Sequence, residues 1–312
     1  MILCLGFSKG LGIDNMTRSY SITFETKCYE NDWEFILKGS YLKQMVARCN
    51  VDFDFKQLII NNVKNRELVE QYAQLKVKEG VIDAYYFAED TEEVVLNFFN
   101  IPKESFGKGF VYSISELTGI YKCTTDYLLH FSSDAYPARN AVKSNWIDEA
   151  IQLMSSNSQY VVATLHWNHL FLDAKAESYG CDQNFWIAQG MSDQCYLIPI
   201  NIFRKEIYNE KHLYSERYPE YGGELFEKRV DAFLRNKNYY RLIYKKASYI
   251  HGNFPKNKIK RKIYFIITKI LNNEFTSWCR YPSFFRRQCD FLHSIYKTVF
   301  HKYKDMTHKD IT

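Results

Sequence analysis

The sequence predicts an α/β fold in which helices flank a mostly parallel central sheet. Short β-rich runs alternate with segments of helical periodicity over the first half of the chain, a pattern that is typical of right-handed βαβ units. Of the 312 residues, 46% are hydrophobic, which is enough for a sizeable core. Only 6 Pro and 13 Gly are present, which excludes a disordered or fibrous chain.

The elements of the first half follow from local patterns. Ser19 to Phe24 is a β-rich run that leads into a polar turn. Trp33 to Cys49 has apolar residues at helical spacing, and Ser40 suits the cap of a second helix after an interruption. The further predicted strands are Gln57–Asn62, Val81–Ala88 and Asp126–Phe131, and the further helices are Arg66–Gly80, Thr91–Phe99 and Val111–Tyr121. Ligands of such sheets bind beyond the carboxyl ends of the strands.

The second half mixes period-2 and irregular patterns, which favours an antiparallel extension of the sheet over further βαβ units. Its predicted strands are Tyr160–Leu165, Gln194–Ile200 and Tyr239–Ile250, and its predicted helices are Asn145–Met154 and one that begins at Glu224. His251 ends the last strand.

Charge divides the chain into a body and a tail. Residues 252–312 contain 13 Lys and Arg against 4 acidic residues, whereas residues 1–251 contain 28 basic against 32 acidic residues. The tail also has interleaved aromatic residues, so we expect a helical extension that binds an anionic membrane surface, ahead of nucleic acid, or that packs on the body.

The pattern of cysteines and the absence of targeting signals predict where in the cell the protein is located. The eight cysteines form no CxxC pair, which argues against zinc modules and disulfide frameworks and predicts reduced, mostly buried thiols. We find no secretory leader and no apolar run of membrane-spanning length. We therefore expect a cytoplasmic protein, peripheral at the inner face of the cell membrane.

Several enzyme classes lack their local signatures. The chain contains no P-loop, no dinucleotide-binding GxGxxG, no HExxH and no GxSxG motif. His166-Trp-Asn-His169 is a weak metal motif because no acidic partner stands at helical spacing.

Candidate chemistry lies at strand and helix ends. Asp134 follows an apolar strand, where a carboxylate either holds Mg²⁺ or Mn²⁺ or accepts backbone hydrogen bonds in the turn before Pro137. His251 ends a strand and its neutral imidazole suits Mn²⁺ or Zn²⁺, although a strand-end His is usually a surface residue. Glu224 follows two glycines and is either a general base or a helix-initiating Glu. Asp193 precedes a strand and either caps a turn or contacts a substrate hydroxyl.

The order of these segments resembles the GT-A (Rossmann-like) glycosyltransferases, most closely the family 2-like inverting sugar transferases of bacterial surface glycan synthesis. The stretch from Ser115 to Asp134 is similar to the family's helix and apolar strand that end in a DxD metal motif, with Ser132 in place of its first Asp. Tyr221-Gly-Gly-Glu-Leu225 is similar to the family's acidic GGED turn, with Leu225 in place of the Asp. Ala247 to His251 resembles the strand whose terminal His completes the metal site.

The resemblance implies roles for particular residues. It implies a catalytic domain at residues 19–251, after an N-terminal extension at 1–18 and before the tail at 252–312. Asp134 and His251 would bind Mn²⁺ or Mg²⁺, and the base would be Glu224 or a displaced carboxylate, namely Asp193, Glu227 or Asp231. The nucleotide-sugar would contact Glu25, Thr26, Asn62, Ser132, Ser133 and Asp134.

The implied activity is metal-assisted transfer of a sugar, with inversion, from a nucleotide-sugar donor to a glycan or lipid-linked acceptor. Two other classes stay open. A non-catalytic module would bind nucleic acid or a protein partner through the tail. A nucleotidyltransferase would share the parallel sheet but usually has a glycine-rich loop after the first strand, where this chain has Glu25 to Glu30.

Overall fold

The computed structural model describes residues 18–218, 223–252, 254, 259–263 and 266. In this part of the chain ten strands form one sheet. The strands are β1 (Ile22–Cys28), β2 (Phe55–Ile60), β3 (Ala84–Phe87), β4 (Tyr127–Phe131), β5 (Ala135–Pro137), β6 (Tyr160–Trp167), β7 (Gly180–Asp182), β8 (Phe185–Ala188), β9 (Cys195–Pro199) and β10 (Tyr240–His251).

Ten α-helices between residues 18 and 252 accompany these strands in the described part of the chain, and residues 259–263 and 266 are also helical. The ten helices are α1 (Trp33–Lys38), α2 (Tyr41–Arg48), α3 (Arg66–Lys78), α4 (Glu92–Phe98), α5 (Phe110–Lys122), α6 (Arg139–Val142), α7 (Trp146–Ser156), α8 (Phe171–Ala176), α9 (Ile200–Phe203) and α10 (Phe226–Asn236). The predicted N-terminal extension lies outside the described residues except for Arg18, and so does most of the predicted tail. None of the helices described is long and apolar enough to cross a membrane.

The sheet has the strand order β3-β2-β1-β4-β9-β6-β10-β8-β7, and β5 pairs with β10. Strands β1 to β4 are mutually parallel, β9 is antiparallel to both β4 and β6, and β10 is parallel to β6. Consequently β1, β2, β3, β4, β6 and β10 all run in the same direction. Their carboxyl ends share one edge of the sheet, where β9 begins. The predicted mostly parallel sheet with an antiparallel extension is confirmed.

Helices cover both faces of the sheet because each face has its own apolar core. One core contains buried side chains of α1, α2, α3 and α7, including the fully buried Trp146. The other contains buried side chains of α4, α5, α9 and α10, including Phe203 and Phe226. Five cysteines are described; all five are free thiols and four of them are buried, as predicted for this part of the chain.

Most predicted elements lie within a few residues of the observed ones, with instructive differences. β1 extends to Cys28, whereas the prediction ended it at Phe24. Ser40 precedes α2 but its side chain caps no backbone N–H; instead its hydroxyl accepts a hydrogen bond from Gln44 Nε2 at 2.9 Å. The short elements β5, β7, β8, α6 and α8 were not predicted because three to six residues carry too little periodicity.

Candidate functional site

Asp134 and His251 meet at the carboxyl edge of the sheet although 117 positions separate them in the sequence. Asp134 stands between β4 and β5, and the antiparallel pairing of β5 with β10 places His251 opposite Ala135. Asp134 Oδ2 lies 3.1 Å from His251 Nε2, and both side chains are partly exposed. The structure thus brings together the two residues that the sequence singled out as metal ligands.

The backbone holds this pair in place from both sides. The N–H of Gly252 donates to the carbonyl of Asp134 at 2.6 Å, and the N–H of His251 donates to Asn168 Oδ1 at 2.8 Å. Asn168 has a φ of 45°, a left-handed conformation that Asn tolerates better than most residues. The loop after β6 therefore helps to orient the imidazole at the end of β10.

Hydroxyl groups and a second carboxylate surround Asp134. Ser132 Oγ donates to Asp134 Oδ1 at 3.2 Å, and Ser133 Oγ donates to the buried Asp32. Burial opposes ionisation of Asp134, but the hydrogen bond and charge of His251, with Ser132, hold its pKa below the usual range. Burial raises the pKa of Asp32 to about 7. Asp134 is therefore the ionised member of this pair of carboxyl groups.

One carboxylate and one imidazole are a minimal donor set for a divalent cation. Among the described residues, no three His, Cys, Asp or Glu side chains stand close enough to hold a metal ion together. Mg²⁺ and Mn²⁺ sites of this kind take further oxygen ligands from substrate phosphates and water, and an imidazole suits Mn²⁺ better than Mg²⁺. The partly exposed pair fits a cation that a diphosphate helps to bind.

A second group of charged side chains surrounds Lys27, near the end of β1. Lys27 forms an ion pair with the buried Glu116 of α5, and its Nζ lies 3.4 Å from Asp193 Oδ2. Glu227, in the first turn of α10, also interacts electrostatically with Asp193, Glu116 and Lys27. We call Lys27, Glu116, Asp193 and Glu227 the carboxylate cluster.

The carboxylate cluster contains more negative than positive charge. Burial, and then the charge of Asp193, raise the pKa of Glu227 to about 8. The negative charges of Glu116 and Asp193 raise the pKa of Lys27 against the opposing effect of burial. Lys27 is thus a permanent cation, and Glu227 is a carboxyl group that exchanges its proton near neutral pH.

The structure places Glu224 outside the carboxylate cluster. Its Oε1 accepts a hydrogen bond from Lys228 Nζ at 2.7 Å, and Lys228 also pairs with Glu216. Tyr221 and Gly222, in the turn before it, lie outside the described residues. Asp231, another predicted base, is completely buried and paired with Arg235 and Arg217. Of the four carboxylates considered from sequence, only Asp193 and Glu227 share a site.

The prediction that Glu25 and Thr26 contact the nucleotide assumed that β1 ends at Phe24, which is too early. Both residues lie inside the strand with no exposed surface. Glu25 accepts a hydrogen bond from Gln57 Nε2 at 2.5 Å and lies 2.9 Å from His130 Nδ1, which gives this polar side chain internal partners. A Cβ on Gly119 would stand 1.7 Å from Glu25 Oε2, so α5 closes over it. The residues at the end of β1 are instead Cys28 to Asp32.

Asn62, Ser132 and Ser133 follow strand ends as predicted. Asn62 is exposed, has a φ of 52°, and its N–H donates to Glu89 at 2.5 Å. Ser132 and Ser133 directly precede Asp134 in the chain and are buried. Sequence reasoning missed Lys27, Asp32 and Glu116. Side chains alternate between the two faces of the sheet along β1, so Lys27 lies on the face opposite to that of Cys28. This alternation was the one feature of the sequence that could have indicated Lys27.

Comparison with known proteins gives a limited result. No protein-family model and no curated protein matches the chain. Among solved structures, GalNAc-T7 with UDP, GalNAc and Mn²⁺ aligns over 74% of this chain but only 44% of its own, at 9% identity and a TM-score of 0.43. Glucosyl-3-phosphoglycerate synthase from Mycobacterium tuberculosis, with Mn²⁺, UDP and phosphoglyceric acid, aligns over 82% of this chain and 79% of its own, at 13% identity and a TM-score of 0.43. At TM-scores this low the likeness carries no argument, and the fold class stands on the strand order and directions described above.

The buried Glu25 generates a prediction about stability and pH. Burial raises its pKa from 4.5 to about 8, so between these values the folded protein keeps a proton that the unfolded chain releases. The free energy of unfolding therefore falls as pH rises through this window. Glu25→Gln removes the titration, so its stability relative to wild type should increase between pH 5 and pH 8 by a few kcal/mol.

Urea denaturation at the two pH values measures this difference. Exposed Glu67→Gln is the matched control and should show no such increase. A Glu25→Gln protein that loses stability equally at both pH values would contradict a protonated Glu25.

Proposed function

We propose that this protein is a GT-A-type glycosyltransferase that moves a sugar, with inversion, from a nucleotide-sugar donor to a hydroxyl of a glycan or lipid-linked acceptor, assisted by Mn²⁺ or Mg²⁺. The observation that carries the proposal is the meeting of Asp134 and His251 at the carboxyl edge of the sheet. Open α/β sheets bind their ligands at this edge.

The donor's diphosphate would lie against the strand ends. Asp134 and His251 would hold the cation, which would neutralise charge that develops on the leaving nucleoside diphosphate. The hydroxyls of Ser132 and Ser133 already donate to Asp134 and Asp32, so each would have to release its carboxylate before it could donate to a phosphate oxygen. Asn62, at the end of β2, is a candidate contact for the nucleoside. Because Ser132 provides no charge, Asp134 is the one ionised carboxylate of this motif.

The carboxylate cluster would activate the acceptor. A general base works best when its pKa is near the working pH, and Glu227 has a pKa of about 8. We therefore assign the base to Glu227, with Asp193 beside it, in place of Glu224. When Glu227 accepts the proton of the acceptor hydroxyl, the negative charge of the cluster decreases. Lys27 offsets part of the negative charge of Glu116 and Asp193 before and after this transfer.

Loss of the Asp134 carboxylate should abolish metal-dependent nucleotide binding. We expect the wild-type melting temperature to rise with uridine, guanosine, cytidine or thymidine diphosphate plus Mn²⁺, because a ligand that binds only the folded state stabilises it. Asp134→Asn should lose this rise, and exposed Asp52→Asn, before β2, should keep it. A full Mn²⁺-dependent shift in a folded Asp134→Asn protein would remove the metal role from Asp134.

The assignment of the base predicts different effects at two neighbouring glutamates. Glu227→Gln should leave nucleoside diphosphate binding intact and reduce sugar transfer by about 10² to 10⁴-fold, the usual contribution of general base catalysis. Glu224→Gln should transfer sugar at close to the wild-type rate, because its carboxylate pairs with Lys228. Single-turnover rates with a radiolabelled donor measure both, and the opposite ranking would return the base to Glu224.

Peripheral membrane binding is a separate part of the proposal. Ile263 and Ile266 are exposed beside Arg261 and Lys262, which places apolar and basic side chains together at the start of the tail. Ile263→Glu combined with Ile266→Glu should weaken cosedimentation with phosphatidylglycerol vesicles, whereas exposed Leu213→Glu should not. Equal vesicle binding by all three proteins would leave the tail without a membrane role.

The two other classes give different results. A non-catalytic module would bind nucleic acid in a salt-dependent way that survives Asp134→Asn, and it would show no Mn²⁺-dependent nucleotide shift. A nucleotidyltransferase would release pyrophosphate from a nucleoside triphosphate. The Asp134 and His251 pair, which needs neither the tail nor a glycine-rich loop, favours the glycosyltransferase.

A further inference from the structure

A cavity of about 540 Å³ opens between α8 and the ends of β6 and β10. This volume is in the usual range for small-molecule sites. His166 and Trp167 of β6, Asp173 and Glu177 at α8, and Arg241 of β10 contribute its polar and aromatic lining. We call it the α8 cavity.

The α8 cavity lies beside both parts of the candidate site. Ser192, which lines it, is the chain neighbour of Asp193 in the carboxylate cluster. Trp167 also lines it, and the centre of the Trp167 ring is 6.4 Å from that of His251. The cavity therefore adjoins the chain next to Asp193 through Ser192, and the metal-ligand pair through Trp167.

His166 is a buried polar side chain without a hydrogen-bond partner. It is 1% exposed, its ring packs 4.4 Å from that of Phe171, and neither ring nitrogen has a partner among the described residues. Burial, and then the charge of His169, lower its pKa to about 4. The neutral imidazole has one donor and one acceptor, which match the two roles of a hydroxyl group.

The charges of the α8 cavity disfavour an anionic molecule. Arg241 lies 2.9 Å from Glu177, so its guanidinium is already matched by a carboxylate. Asp173 adds a further acidic residue to the lining. A phosphate or carboxylate group would meet two acidic side chains and one cation that is already paired.

We propose that the α8 cavity binds the acceptor as a neutral sugar unit, whose hydroxyls bond to His166 and whose ring lies on the indole of Trp167. The identification of this sugar as the acceptor rests on the proposed function. Trp167 is 44% exposed, which leaves an aromatic surface at the mouth of the cavity. A neutral sugar presents both hydroxyl groups and an apolar ring face, and these match the two residues.

Ligand-detected saturation-transfer NMR on the full-length protein, without nucleotide, tests the inference. The neutral probes are the methyl glycosides of glucose, galactose, mannose, N-acetylglucosamine and N-acetylgalactosamine, and the anionic probe is 3-phosphoglycerate. We expect at least one methyl glycoside to bind and 3-phosphoglycerate not to displace it. The octyl glycoside of the same sugar distinguishes a lipid-linked acceptor from the end of a glycan. Tighter binding than the methyl glycoside indicates a lipid-linked acceptor, and equal binding indicates a glycan end. Either result supports the site.

Substitutions locate the bound sugar. His166→Phe keeps an aromatic ring but loses both nitrogens, so it should weaken glycoside binding about tenfold or more. Its melting temperature should stay the same or rise, because the nitrogens it loses have no protein partner; a purely structural His166 would lower it. Trp167→Ala changes a partly exposed residue and should also weaken binding, whereas exposed Leu172→Ala on α8 should bind like wild type.

Three outcomes would overturn the inference: no methyl glycoside binds, 3-phosphoglycerate is preferred, or His166→Phe and Trp167→Ala bind as well as wild type. Titration with UDP and Mn²⁺ is measured separately. Intact nucleotide binding without glycoside binding would refute the α8 cavity and leave the proposed function standing. Glycoside binding without nucleotide binding would refute the proposed function and retain the cavity as a sugar site.

Discussion

The contact between Asp134 and His251 depends on the whole topology of the sheet. A carboxylate at the end of an apolar strand is unfavourable unless a charged or hydrogen-bonding partner accompanies it. Here the imidazole is that partner, and it arrives only because β10 runs parallel to β6 and pairs with β5. In the sheet, β9 and β6 lie between β4 and β10, so residues from distant parts of the chain meet here only in the assembled sheet. The candidate active site is thus a consequence of sheet assembly.

The two groups of charged side chains at this edge of the sheet differ in their electrostatic properties. At the metal-ligand pair, burial opposes ionisation of Asp134, but its interactions with His251 and Ser132 lower its pKa, and an ionised carboxylate suits a cation. At the carboxylate cluster, burial and mutual repulsion keep Glu227 protonated to a higher pH, which suits proton transfer. Environments that separate the pKa values of neighbouring carboxyl groups are a common feature of catalytic sites. The α8 cavity adjoins both regions, and its neutral His166 and paired Arg241 complete a site in which each part has a distinct charge.

The sequence predicted the parallel part of the fold and the Asp134 and His251 pair, because apolar strands that end in a polar residue leave a local signal. It failed at Glu25 and Thr26, since polar residues in the middle of a strand indicate a strand end unless their partners are known. The partners of Glu25, namely Gln57 and His130, come from other strands. It named Glu224 first as the base, with Asp193, Glu227 and Asp231 as alternatives, and we propose Glu227. Only the packing of α10 against the sheet determines whether the carboxylate of Glu224 or that of Glu227 turns towards Asp193, and no local pattern reports that packing.

The most direct measurement of the central claim is the position of a bound cation. Crystals of the protein grown with UDP and Mn²⁺ and measured at the manganese absorption edge would show it as an anomalous difference peak. We predict a peak beside both Asp134 and His251, in contact with the diphosphate. A peak elsewhere, or a nucleotide bound with no cation near these two side chains, would contradict the account.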